Sequence, residues 1–111
     1  MIEKTILDYL TAEMSVPVYM EFPEIPPESY VVMTKVGSSR TNLINSATLE
    51  FQCVSTSLLN AATLCDELKA VMDGAAILSE VSRARFAGDY NATFTASKSY
   101  RYKAVYEVTH Y

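Results

Sequence analysis

The sequence predicts an α+β fold: an antiparallel sheet of four to five strands with two helices packed on one face. Three observations support it. Two segments repeat apolar residues at helical spacing, and five other segments either alternate apolar with polar residues or are rich in β-branched residues. Strands that follow one another directly favour antiparallel pairing, and the predicted order is α-β-β-β-α-β-β. The length of 111 residues suits one domain, 1–111, and leaves little room for two.

The first helix is predicted over about residues 2–13. Apolar residues recur there every four positions, at Ile2, Ile6, Leu10 and Met14. Residues 16–22 then alternate as a half-buried strand does, and Pro17 indicates the start of a strand or an edge position. Pro26 and Pro27 require a turn, because consecutive prolines exclude both a helix and a strand ladder.

A hairpin is predicted next. Residues 29–36 are rich in β-branched side chains and indicate the second strand. Residues 47–53 alternate and indicate the third, with one buried and one wet face. Between them, residues 37–45 form the longest polar connection of the chain, so we expect a long-looped hairpin.

The second helix is predicted over about residues 57–73, with hydroxyls at 55–57 available for its N-cap. Its apolar residues follow a 3-4-3-4 spacing: Leu58, Ala61, Cys65, Leu68 and Met72. Gly74 is expected to end the helix in the left-handed conformation. Residues 77–86 then indicate a fourth strand, residues 88–91 a turn, and about residues 92–110 a long last strand.

The last strand has an ordered distribution of tyrosines. Alternation puts Tyr100, Tyr102 and Tyr106 on one face. It puts Arg101 and Lys103 on the other face, whereas a base-stacking platform would need both kinds of residue together. The pattern therefore favours a core or a subunit interface, where tyrosine is common.

The connection 37–45 contains a candidate contact site. Leu43 and Ile44 are apolar within a polar segment, and burial against a neighbour would be favourable. Arg40 would anchor such a contact. The alternative is a mobile hairpin connection with no further role. The candidate interface residues are Arg40, Thr41, Asn42, Leu43, Ile44, Tyr100 and Tyr102.

Charge and motif content argue against several functions. Thirteen acidic and nine basic residues give a net charge of −4, which disfavours binding to nucleic acid. Three glycines supply no phosphate-binding loop, and the single histidine, His110, has no indicated catalytic or metal partner. Cys53 and Cys65 lack CxxC spacing and are expected to be buried thiols. The sequence predicts no enzyme activity, cofactor, metal or membrane contact, and synthesis in a reducing cytoplasm.

Several segments resemble small proteins encoded in phage and prophage neck-and-tail modules. They are Ser15-Val-Pro-Val-Tyr-Met-Glu-Phe-Pro-Glu, Pro27, Tyr30-Val-Val, Ser46-Ala-Thr-Leu-Glu-Phe-Gln, Met72-Asp73, Asp89-Tyr90-Asn91 and Tyr100-Arg-Tyr102. The resemblance covers essentially residues 1–111 and includes the element order. The family that the chain resembles is the tail terminator, or tail completion, proteins of long-tailed phages.

The resemblance implies a non-enzymatic protein of the virion tail or neck, made in the bacterial host cytoplasm. Members of the family form a ring, usually a hexamer, that stops growth of the tail tube and joins the tail to the head connector. The implied partners are further copies of the chain, the tail-tube protein and the head-closure or connector protein. DNA would pass through the lumen without specific binding.

The net negative charge is compatible with a ring whose lumen passes DNA without binding it. Clustering of Arg83, Arg85 and Arg101 around the lumen would contradict this expectation. Two alternatives stay open. One is a head-closure or adaptor protein of the same neck module. The other is an α+β domain that binds a small molecule, or catalyses a reaction, in a tyrosine-lined pocket between helix and sheet.

Overall fold

The computed structural model describes residues 1–94 and 99–111, and within them two α-helices and five strands. The elements are α1 (Ile2–Glu13), β1 (Val18–Tyr19), β2 (Tyr30–Thr41), β3 (Ile44–Ser55), α2 (Leu58–Asp73), β4 (Val81–Asn91) and β5 (Tyr100–His110). A single 3-10 turn, Ala75–Ile77, follows α2. The α+β class and the order α-β-β-β-α-β-β are confirmed.

The sheet has the strand order β1-β2-β3-β5-β4. The pairs β2–β3, β3–β5 and β4–β5 are antiparallel as predicted, but β1 lies parallel to β2. The sheet is therefore mixed. Residues 20–29 form a long connection that brings the chain back beside the start of β1, so that β2 runs in the same direction as β1. A tight turn between the two strands would have made the pair antiparallel.

The first strand is much shorter than the predicted 16–22. Only Val18 and Tyr19 pair with β2, opposite Val31 and Val32. Pro17 has no N–H to donate, although its carbonyl accepts a 3.0 Å hydrogen bond from the Val31 amide. Beyond Tyr19 the chain leaves the sheet, so most of the outer edge of β2 is not covered by β1.

Both helices pack on the same face of the sheet, as predicted. The α1 stripe buries Ile2, Ile6 and Leu10. The buried residues of α2 are Ala61, Leu64, Cys65, Leu68 and Met72. They share one apolar core with the inward residues of β3 and β5, which are Ala47, Leu49, Phe51, Cys53, Ala104, Tyr106 and Val108. This core fixes the sheet face that the helices cover.

The ends of α2 differ in how well they were predicted. Ser57 caps the N-terminus, and its hydroxyl accepts a 3.1 Å hydrogen bond from the Asn60 amide. Gly74, however, is right-handed (φ −88°, ψ −1°), so the predicted left-handed end is wrong. A close contact explains the glycine: a Cβ there would lie 3.0 Å from the hydroxyl of Tyr9, which donates to the Val71 carbonyl at 2.8 Å.

The fourth strand begins and ends later than predicted. The 3-10 turn occupies the start of the predicted 77–86 segment, and β4 continues through the predicted turn at 88–91. Gly88 (φ +151°) follows a register shift after Phe86, so the glycine permits a bulge within the strand. The start of the predicted last strand falls partly on residues 95–98, outside the described residues, and β5 begins at Tyr100.

The two cysteines are free and buried, which confirms the expectation from their spacing. Cys53 of β3 lies against Cys65 of α2. A hydrogen bond with Cys65, together with burial, raises the pKa of the Cys53 thiol far above its usual range. Both side chains are buried in the shared apolar core.

Polar contacts hold α2 to the edge of the sheet. The Tyr106 hydroxyl, on a fully buried side chain, lies 3.2 Å from Asp73 Oδ1 and 3.3 Å from the Lys69 carbonyl, and donates to them. Burial, reinforced by the Asp73 charge, raises the pKa of Tyr106. Lys69 Nζ reaches Asp89 of β4 at 2.8 Å and Asp66 at 3.2 Å, and hydrogen bonds to these carboxylates raise the pKa of Lys69.

These pKa shifts predict loss of stability in alkali. Tyrosine in the unfolded chain ionises near pH ~10, whereas the folded Tyr106 keeps its proton at higher pH. The unfolded state therefore binds fewer protons, and the free energy of unfolding should fall as the pH rises above about 10. Tyr106→Phe should make this fall shallower in urea unfolding measured across that range. Tyr111→Phe, at an exposed position, should keep the wild-type slope, and equal slopes for both variants would contradict the prediction.

Candidate functional site

A tight hairpin replaces the predicted loop 37–45. β2 and β3 pair from Tyr30↔Val54 to Thr41↔Ile44, so Asn42 and Leu43 alone form the turn. The loop prediction is wrong because β2 is exposed from Thr34 onward. A strand that is exposed to solvent on both faces shows no alternation of apolar and polar residues. Its polar composition is then the same as that of a loop.

The hairpin turn holds a leucine in a conformation that favours glycine. Asn42 (φ 51°) and Leu43 (φ 66°) are both left-handed, as a two-residue turn of type I′ requires. Asparagine is common in this conformation, but a side chain such as leucine costs about 1–2 kcal/mol there. Leu43 is also 80% exposed. An exposed apolar residue in a strained position is a candidate for a contact with another molecule.

The neighbouring residues complete an exposed apolar tip with one positive charge. Ile44 is 56% exposed, and Arg40 is exposed and makes no ion pair within the described residues. We define the hairpin tip as residues 40–44. It contains five of the predicted interface residues in one place: Arg40, Thr41, Asn42, Leu43 and Ile44.

The other two predicted interface residues lie elsewhere. Tyr100 and Tyr102 are half-buried and pair with Ser55 and Cys53 at the far end of β3. Cys53 is nine positions from Ile44 along β3, which is about 30 Å along a strand. The structure therefore does not bring these tyrosines to the hairpin tip, and Tyr102 packs against the core.

A groove lies at the opposite end of β2 from the hairpin tip. We define it as the edge groove, with a volume of about 540 Å³. It is lined by the middle of α1, by β1 and by the segment after β1: Leu7, Val18, Tyr19, Met20, Glu21, Phe22, Pro23 and Glu24. Met20 and Phe22 are each about half exposed. Sequence reasoning missed this groove, because it forms only when α1 and the segment 20–24 come together at the edge of the sheet.

A second groove, of about 550 Å³, lies between the start of α1 and the hairpin. Its walls include Glu3, Lys35, Arg40 and His110. Lys35 Nζ is 3.2 Å from Glu3 Oε2. A hydrogen bond from its own backbone, aided by Lys35, lowers the pKa of Glu3. This groove contains an ion pair, whereas no ion pair of the described residues lies in the wall of the edge groove.

The sheet face opposite the helices has charged side chains that form ion pairs with one another. Arg85 forms an ion pair with Glu107, and Lys103 Nζ is 3.2 Å from Glu50. These pairs join neighbouring strands across this face. They neutralise much of its charge locally.

The three arginines named above share this face without clustering. Arg83 pairs with Thr109 of β5, eight residues from Arg101, or about 26 Å along the strand. The Arg101 guanidinium lies between the rings of Phe22 and Phe94, at 5.4 and 4.8 Å from their centroids. Within one copy, this arrangement does not concentrate positive charge at a single point.

The described residues contain no group of three or more His, Cys, Asp or Glu side chains placed to hold a metal ion. In the same part of the chain, no helix has the length and apolar character needed to cross a membrane.

No family model matches the chain, and a search of curated proteins also finds no match.

Strain at Leu43 predicts that a glycine at this position stabilises the protein. Leu43→Gly should raise the free energy of unfolding by about 1 kcal/mol, because glycine adopts a positive φ without the cost that leucine has. Leu43→Ala removes the same apolar side chain but keeps a Cβ, so its stability should stay within about 0.5 kcal/mol of wild type. Urea unfolding compares the three proteins. Equal stability of the two variants would contradict strain at this turn.

Proposed function

We propose that the chain is a structural protein of a phage or prophage tail, which forms a ring with further copies, caps the tail tube and joins the tail to the head connector. One observation supports this most directly: the hairpin tip exposes Leu43 and Ile44 in a turn that glycine would stabilise. The resemblance to tail terminator proteins supplies the identity of the assembly.

Two different surfaces at opposite ends of the molecule would allow a head-to-tail ring. The chain measures 45 × 24 × 24 Å, with the hairpin tip and the edge groove at opposite ends of β2. A contact that joins two different surfaces repeats from copy to copy, and it closes into a ring when the rotation between copies allows. A self-complementary patch would instead stop at two copies.

The tyrosine-lined pocket of the competing proposal has little support. The Tyr106 ring lies in the core beneath α2, in edge-to-face contact with Phe51 and Phe86. Neither the edge groove nor the groove beside Glu3 has more than one tyrosine in its wall. These observations favour an assembly role over small-molecule binding or catalysis in such a pocket.

The expected partners are other copies of the chain, the tail-tube protein and the head-closure or connector protein. DNA would cross the lumen without specific contacts. The net charge of −4 and the paired charges on the open sheet face support weak attraction to phosphate.

Ring formation should be measurable by light scattering. Purified protein mixed with tail tubes should form multimers, even if the free protein is monomeric. Leu43→Ser with Ile44→Ser should reduce the multimer fraction by about tenfold or more, because both apolar contacts are lost. Ile77→Ser, at an 80% exposed position outside the hairpin tip and the edge groove, is the control and should assemble normally. Absence of wild-type multimers both alone and with tubes would refute the proposal.

Deletion of the gene separates a terminator from the head-closure alternative. Loss of a terminator should yield tails of uncontrolled length, as seen by electron microscopy. Tails of normal length beside unjoined, filled heads would assign the chain to head closure instead. Complementation with the wild-type gene should restore uniform tails.

A further inference from the structure

We infer that copies of this chain associate head to tail, with the hairpin tip of one copy inserted in the edge groove of the next. In this contact Leu43 and Ile44 lie against the apolar wall of the groove, and Arg40 meets Glu21 and Glu24. The inference rests on the proposed function, since it specifies the contact from which the ring would be built.

The hairpin tip cannot reach the edge groove of its own chain. Val18 and Tyr19 in the groove wall pair with Val31 and Val32, whereas the tip begins nine residues farther along β2. That separation is about 30 Å along a paired strand. β2 is hydrogen-bonded to β3 as far as Thr41, so it does not bend back. A hairpin tip that enters this groove must therefore belong to another copy.

The edge groove suits two aliphatic side chains. Its volume of about 540 Å³ falls within the roughly 300–1,000 Å³ of clefts that hold small ligands. Leu7, Met20 and Phe22 supply apolar surface. Methionine adapts its shape to an incoming group, which favours close contact with a branched side chain. Burial of Leu43 and Ile44 there would remove exposed apolar surface from both partners at once.

Charge complementarity favours a second copy as the occupant. Glu21 and Glu24 are exposed at the groove, and neither forms an ion pair within the described residues. The hairpin tip has the opposite charge, at Arg40, and that guanidinium is also without an ion pair in the described part of the chain. One chain therefore has an apolar tip with a cation and an apolar groove with two carboxylates. Such matching sets the orientation of partners more than it adds affinity.

A single contact of this kind is small. Stable protein interfaces bury about 1,200–2,000 Å², which the side chains of one hairpin tip do not reach. Closing a ring makes the last contacts intramolecular, so several weak contacts hold together once a surface such as the tube end gathers the copies. Weak pairwise association of the free protein follows from this geometry.

Cysteine cross-linking tests the contact. Leu43→Cys and Met20→Cys are purified separately, mixed in equal amounts at high concentration and oxidised mildly, and the linked dimer is identified by mass spectrometry. The native Cys53 and Cys65 are buried and do not compete. The mixture should form the mixed dimer at least about tenfold faster than Leu43→Cys does with Ile77→Cys, an 80% exposed control. Equal rates, or preferred linkage of Leu43→Cys to itself, would overturn the inference.

A charge exchange provides a second measurement. Arg40→Glu in the Leu43→Cys copy should slow mixed cross-linking about tenfold, because three carboxylates then face one another. Glu21→Arg with Glu24→Arg in the Met20→Cys copy should restore the rate. Slowing without restoration would overturn the assigned pairing of charges.

The outcomes separate this contact from the proposed function. If multimers form on tail tubes while the mixed cross-link does not, the contact is wrong and the function stands. If the mixed cross-link forms while gene deletion leaves tail length unchanged, the contact stands and the function is wrong. Cross-linking of the hairpin tip to the tail-tube protein instead would assign the tip to that partner and overturn the self-contact.

Discussion

Packing of α2 against the inner face of β3 and β5 is the interaction on which the other features depend. Leu68 of the helix, Phe51 of β3 and Tyr106 of β5 are fully buried together in the core. Because β3 is the central partner of both β2 and β5, this packing fixes the register of most of the sheet. The end of the hairpin lies beyond this packing, since β2 is exposed from Thr34 onward and Leu43 and Ile44 are exposed. The hairpin tip can extend into solvent because the other end of β2 and β3 is packed in the core.

The two ends of the molecule, on either side of this core, present different surfaces. At one end, α1 and the segment after β1 meet at an exposed sheet edge and leave an apolar groove with unpaired carboxylates. At the other end, the strands continue past the core and end in a strained turn. The chain thus exposes apolar side chains at both ends and holds them in place with the buried core between, which is a common arrangement at binding sites.

Sequence patterns predicted the helices well because burial imposes a period on them: Ile2, Ile6 and Leu10 are all buried, and Ser57 is the N-cap. The hairpin itself was predicted, but its tight turn was missed because its outer half is exposed on both faces and Asn42-Leu43 lacks the glycine that marks such turns. The residues of the hairpin tip were still identified, since two apolar residues stand out in a polar segment. The edge groove could not be predicted, because Leu7 and Met20 meet only through tertiary packing.

The two register shifts in β4 affect how the protein behaves when many copies are present. One falls between Val81 and Arg83, and the other between Phe86 and Gly88, so the outer edge of the sheet is uneven. A long, regular edge would pair with any strand that approached it and would promote fibrils. An irregular edge cannot be continued in this way. The β4 edge therefore gives a neighbouring copy no regular template for strand pairing, which favours association through side chains that select a partner and an orientation.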